Sequence, residues 1–90
     1  MIYFIESQPI EHKLVKIGFT DRSVSTRFKE NQRASPTKLK MIGFCEGDTA
    51  KDRHYRKKFD HLLFTHPTLE TSEWFLPNEE LMRFIENVRI

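Results

Sequence analysis

Four side chains in this 90-residue chain could act together on a phosphodiester: a tyrosine, a lysine, an arginine and an aspartate. Tyr3 and Lys16 fall in two apolar runs, 2–5 and 14–19, whose Ile, Val, Phe and Tyr content is strand chemistry. If the polar, proline-broken stretch 6–13 between them closes as a symmetric hairpin loop, Tyr3 faces Lys16. Ile2 and Phe4 then pair with Ile17 and Val15 on the opposite face, and Gly18 shares the side of Tyr3 and Lys16. A one-residue slip would reverse these faces. An ammonium group beside a phenol stabilises the phenolate and turns a poor base into a usable one. Arg27, eleven residues beyond Lys16, carries a planar fork that can hold two phosphate oxygens. Asp52 could bind one Mg²⁺ or Mn²⁺, since Mg²⁺ keeps most of its water and needs few carboxylates. Gly18, lacking a side chain, admits close approach to the sheet.

The elements that must position these groups can be read from periodicity and punctuation. Thr20-Asp21-Arg22-Ser23 is a helix-start cluster, with Asp21 or Ser23 as cap and Val24 and Phe28 as an inward stripe. Arg27 rides the flank of that stripe, and the helix should stop near 32–35, ahead of Pro36. Leu39 to Cys45 reads as a third strand. A second helix is expected from about Thr49 to Phe64, with Tyr55, Phe59, Leu62 and Leu63 inward and Asp52 at the head of the same stripe. After a loop at 65–72, Glu73-Trp74-Phe75-Leu76 is a short extended segment. Pro77-Asn78-Glu79-Glu80 opens a last helix with Leu81, Phe84, Ile85 and Val88 on its apolar face. The expectation is a single α+β domain over 1–90: a small antiparallel three-stranded sheet flanked by helices, in the order ββαβα(β)α.

Composition narrows the function. No apolar run approaches the roughly 18 residues of a membrane span, and the first residues lack a signal-peptide pattern, so a cytoplasmic chain is expected. One cysteine, Cys45, excludes an internal disulfide and a Cys-based zinc cluster. The four histidines (12, 54, 61 and 66) show no ligand spacing. The net charge is +2, yet residues 13–58 hold thirteen Lys/Arg against five acids, while 59–90 hold two against six. Such a basic middle suits a polyanion, or else a merely solvated lysine-rich face. Arg53, Arg56, Lys57 and Lys58, with Arg33, Lys38 and Lys40 upstream, are the expected DNA backbone surface. Nothing resembles a helix-turn-helix or zinc finger, so no base-reading element is visible.

Taken in order, Ile2-Tyr3, then Lys16-Ile17-Gly18-Phe19-Thr20, then Arg27 in the following helix resemble the GIY-YIG nuclease superfamily. Glu73-Trp74-Phe75 is similar to its short phage and bacterial branch, whose second motif reads K-I-G. The resemblance covers roughly residues 2 to 76. It implies a metal-dependent endonuclease acting on DNA, a hydrolase using a single Mg²⁺ or Mn²⁺. Tyr3 and Lys16 would be catalytic and activate water, Gly18 would be the motif glycine, Arg27 would hold the phosphate and Asp52 would bind the metal.

Departures from that pattern point to a second reading. The first motif lacks its glycine, and Asp52 stands where a longer glutamate is usual. The position four residues later, often histidine, is Arg56. At i and i+4 the two could form an ion pair, leaving a nuclease-shaped site without a competent metal ligand. The chain would then be a catalytically inactive module binding DNA, or a protein partner, through its basic surface.

Overall fold

In the computed structural model, described over residues 1–7, 13–65 and 73–90, a four-stranded antiparallel sheet carries helices on both faces. The strands are β1 (Ile2–Ser7), β2 (Leu14–Phe19), β3 (Leu39–Cys45) and β4 (Trp74–Phe75), in the spatial order β3-β1-β2-β4. The helices are α1 (Val24–Ala34), α2 (Thr49–Lys58) and α3 (Glu79–Val88). The α+β class is as expected, but the sheet gains a strand, because Trp74 and Phe75 pair with Lys16 and Val15 along the outer edge of β2. The second helix is shorter than its stripe suggested. Phe59 caps α2, and Leu62 is delivered to the core by a 3₁₀ turn, Asp60–Leu62. Parts of both expected loops, 8–12 and 66–72, lie outside the described residues, as do His12 and His66. None of the described helices is long and apolar enough to cross a membrane.

The β1–β2 register differs from the symmetric closure by two residues. Tyr3 lies opposite Gly18, Phe4 opposite Ile17, and Ile5 opposite Lys16. Because side chains alternate with period two, this shift changes partners but preserves faces. Tyr3, Ile5, Lys16 and Gly18 still share one side. Ile2, Phe4, Val15 and Ile17 still share the other.

The two sides of the sheet are unequal. Beneath α2 and α3 the buried cluster comprises Ile2, Phe4, Val15, Ile17, Cys45, Tyr55, Phe59, Leu62, Phe75, Leu81 and Ile85. Phe84 ties it together, standing edge-on to Tyr55 and Phe59 with centroids 4.8 and 5.0 Å apart. Asn78 caps α3 by accepting from the Leu81 amide, and Glu79 and Glu80 favour its first turn. On the other side the buried apolar residues among those described are Tyr3, Ile5 and Leu39, with half-buried Val24, Phe28 and Trp74 against them. α1 contributes no fully buried residue and starts on the Ser23 cap, whose hydroxyl accepts from the Thr26 amide.

Gly18 fixes the geometry of this thinner side. A Cβ placed there would lie closer than 3.0 Å to Tyr3 Cζ, Cε2 and the hydroxyl oxygen. The hydroxyl end of the Tyr3 ring therefore occupies the position of the missing side chain. Gly18→Ala is expected to displace the ring and to lower stability by about 1–3 kcal/mol, the usual cost of overfilling a packed site. Urea unfolding of the variant checks this; an unchanged midpoint would mean that the ring is free to move.

Candidate nucleic-acid interface

The Tyr3 hydroxyl, set by Gly18, lies beside the Arg27 guanidinium rather than facing Lys16. That contact is the largest of the influences that raise the Arg27 pKa, so Arg27 is a permanent cation here. The Arg27 side chain remains 35% exposed and also meets Glu30, with Nη1 3.3 Å from Oε2. Glu30 is shared with Arg22, whose Nη1 lies 2.6 Å from the other carboxylate oxygen. The Arg22 hydrogen bond is the main cause of a lowered Glu30 pKa. Two guanidiniums thus share one carboxylate, and this end of α1 retains a positive charge facing solvent.

Lys16 is held two residues along the strand from the Tyr3 pairing. Its ammonium donates to Asn31 Oδ1 at 2.9 Å and lies 3.3 Å from Glu73 Oε2. Asn31 in turn donates to the Arg27 carbonyl at 2.9 Å, so one turn of α1 fastens to β2 through a lysine. Asn31 was not visible as a candidate, although its i+4 spacing from Arg27 puts both on one helix face. Glu73, the first residue of the short extended segment expected from sequence, is the counter-ion of Lys16.

Asp52 sits at the first turn of α2, buried, on the other side of the sheet from α1. Its Oδ2 is 3.0 Å from Arg56 Nη2, the i,i+4 pair anticipated as the alternative to metal binding. Asp52 Oδ1 and Arg56 Nε are both shielded from solvent and without a hydrogen-bond partner. Burial pushes the Asp52 pKa up, Arg56 opposes that, and Glu73 adds to it. A divalent ion that retains its waters needs a carboxylate oxygen it can reach. Asp52 offers one oxygen bound to a guanidinium and one sealed from solvent, while the nearby Glu73 is engaged by Lys16. Among the described residues, no three His, Cys, Asp or Glu side chains gather into a metal-binding group. The residues as they stand do not fit the expected single Mg²⁺ or Mn²⁺.

The expected basic surface is divided. Arg33 and Lys38 are exposed beside α1, whereas Arg53, Lys57 and Lys58 project from α2 on the opposite face. Lys40 alternates away from Leu39 and Met41, whose side chains pack on the α1 side. Arg56 is turned back onto Asp52, and the Lys58 ammonium lies 4.8 Å from the Phe84 ring centroid. Tyr3 and Glu30 flank the partly exposed Arg27 guanidinium, and Lys16 is tied to the same helix through Asn31, while the α2 cations lie on the other face.

The balance at Asp52 can be measured. A carboxyl whose folded pKa is raised supports folding below its ordinary pKa, about 3.9, and loses that support as pH rises through the folded value. The stability of the wild type minus that of Asp52→Asn should therefore fall as pH rises from about 3 through the raised value. A difference that grows over this range would show that attraction to Arg56 outweighs burial.

Comparison with known proteins places this geometry in a family. No curated protein and no solved structure matches the chain. The family model for the T5orf172 domain matches residues 1–89. The match corrects the resemblance drawn from the short motifs, because it falls on a family other than GIY-YIG. The chain belongs to the T5orf172 domain family, a nuclease-like and DNA-binding family.

Proposed function

We propose that this domain binds DNA by gripping its phosphodiester backbone at Arg27, without metal-assisted hydrolysis. The carrying observation is the Arg27 side chain, one-third exposed, flanked by the Tyr3 hydroxyl and sharing Glu30 with a second arginine. A planar fork held in this way can present two donors to a phosphate with little further ordering. Exposed Arg33 and Lys38 on the same side extend the cationic track. Membership of a DNA-related family supports the polyanion as the partner. The Asp52–Arg56 pair supports binding over cleavage, since the carboxylate that a cation would use is already neutralised.

A second reading, hydrolysis by a Mg²⁺- or Mn²⁺-dependent endonuclease, is favoured by one observation. Asp52 Oδ1 is buried without a hydrogen bond, and a buried oxygen of that kind calls for a partner. Water activation by Tyr3 and Lys16 belongs to this reading, and it requires Arg56 to leave Asp52.

Gel shift and plasmid nicking separate the two. Wild-type protein should retard duplex DNA with an affinity that falls as salt rises. Arg27→Ala should weaken binding across all sequences and reduce the slope of log affinity against log salt by about 1. Supercoiled plasmid should remain intact with Mg²⁺ or Mn²⁺ present. Metal-dependent nicking that Arg27→Ala and Tyr3→Phe abolish would establish the second reading, and absence of any DNA retention would defeat both.

A further inference from the structure

We propose that the cleft between the end of α1 and β4 receives one unpaired nucleobase of the bound DNA, stacked on Trp74. This rests on the DNA-binding reading above and adds a site to it. The cleft has a volume of about 290 Å³ and is lined by Lys16, Asn31, Ser35, Pro36, Leu39 and Trp74. That is near the lower end of small-molecule clefts, roughly 300–1,000 Å³, and suits a single heterocycle better than a folded segment.

The lining has the parts that a base-stacking platform uses: an aromatic face, a cation beside it and basic residues along the approach. Trp74 is half-buried, whereas Tyr3, Phe59 and Phe75 are at most 1% exposed. The largest aromatic of the chain is thus left partly open, as are several phenylalanines among the described residues. Its indole N–H meets no acceptor among the described residues, and its ring lies 6.0 Å from the Lys16 ammonium. Leu39 closes the cleft from the smaller core. Exposed Arg33 and Lys38 stand one residue along the chain from the lining residues Ala34 and Leu39, placed to hold phosphates at the mouth. Lys16 connects this cleft to the phosphate site through Asn31, whose amide bonds the Arg27 carbonyl. A base inside an intact duplex cannot offer its face, so the occupant is single-stranded or unstacked.

Trp74 is the sole tryptophan, so intrinsic fluorescence reports on the cleft directly. A single-stranded oligonucleotide should quench Trp74 emission on binding. An abasic strand of equal length and charge should bind about tenfold more weakly at the same salt and leave the emission unquenched. Trp74→Phe should keep part of the preference for the base-bearing strand while leaving duplex affinity unchanged. Equal affinity and equal quenching by abasic and base-bearing strands would overturn the cleft and leave backbone binding intact. Failure to bind either strand or duplex would overturn both.

Discussion

The placement of the hydroxyl end of Tyr3 over Gly18 is the constraint on which the α1 side of the molecule depends. The ring fills the space of the missing side chain, which fixes where the hydroxyl emerges. The hydroxyl then orients Arg27, and Arg27 sits one helical turn before Asn31, which binds Lys16. A single steric fact thus spreads through three hydrogen-bonded residues on two elements. Tyr3 and Lys16 are themselves buried, and Tyr3 keeps its place because Gly18 beside it has no side chain.

Much of this was legible in the sequence, and the exceptions have physical causes. The assignment of residues to faces survived an error in pairing, since a shift of two leaves parity unchanged while changing every partner. Lys16 was consequently placed against Tyr3, though Ile5 is its true neighbour. Turn geometry sets register, and the residues of that turn carry no two-residue hairpin signature to reveal it. The extended segment at 73–76 was legible, but its place in the sheet was not, because that pairing depends on the edge of β2. The Asp52–Arg56 contact was readable because helical i,i+4 geometry is local. The division of the basic residues was not readable, as it depends on which face each helix covers. Short motifs matched the wrong family for a related reason: a few residues constrain a site far more than they constrain the whole chain.

The electrostatics of the site are largely internal. Lys16 is matched by Glu73, Arg56 by Asp52, and Arg22 with Arg27 by Glu30. Phosphates reaching Lys16 or Arg27 must therefore compete with carboxylates already in place. Glu73, 45% exposed, and Glu30, 31% exposed, can rotate into solvent and be solvated there. Asp52, 8% exposed, cannot do so without exposing the start of α2. Exchange of partners is thus inexpensive on the α1 side and costly at Asp52.

The unequal filling of the two faces gives the chain two levels of local stability. Eleven buried side chains lock α2 and α3 to the sheet, while three lie beneath α1. Segments with few buried apolar contacts open without global unfolding. Among the described helices, α1 is therefore the one expected to open with the remaining core still assembled. Arg27 and Asn31 would depart with it, whereas Tyr3 and Lys16 would stay on their strands. The polar site is divided between a durable half and a removable one, so binding across both halves would itself strengthen the weaker face of the fold.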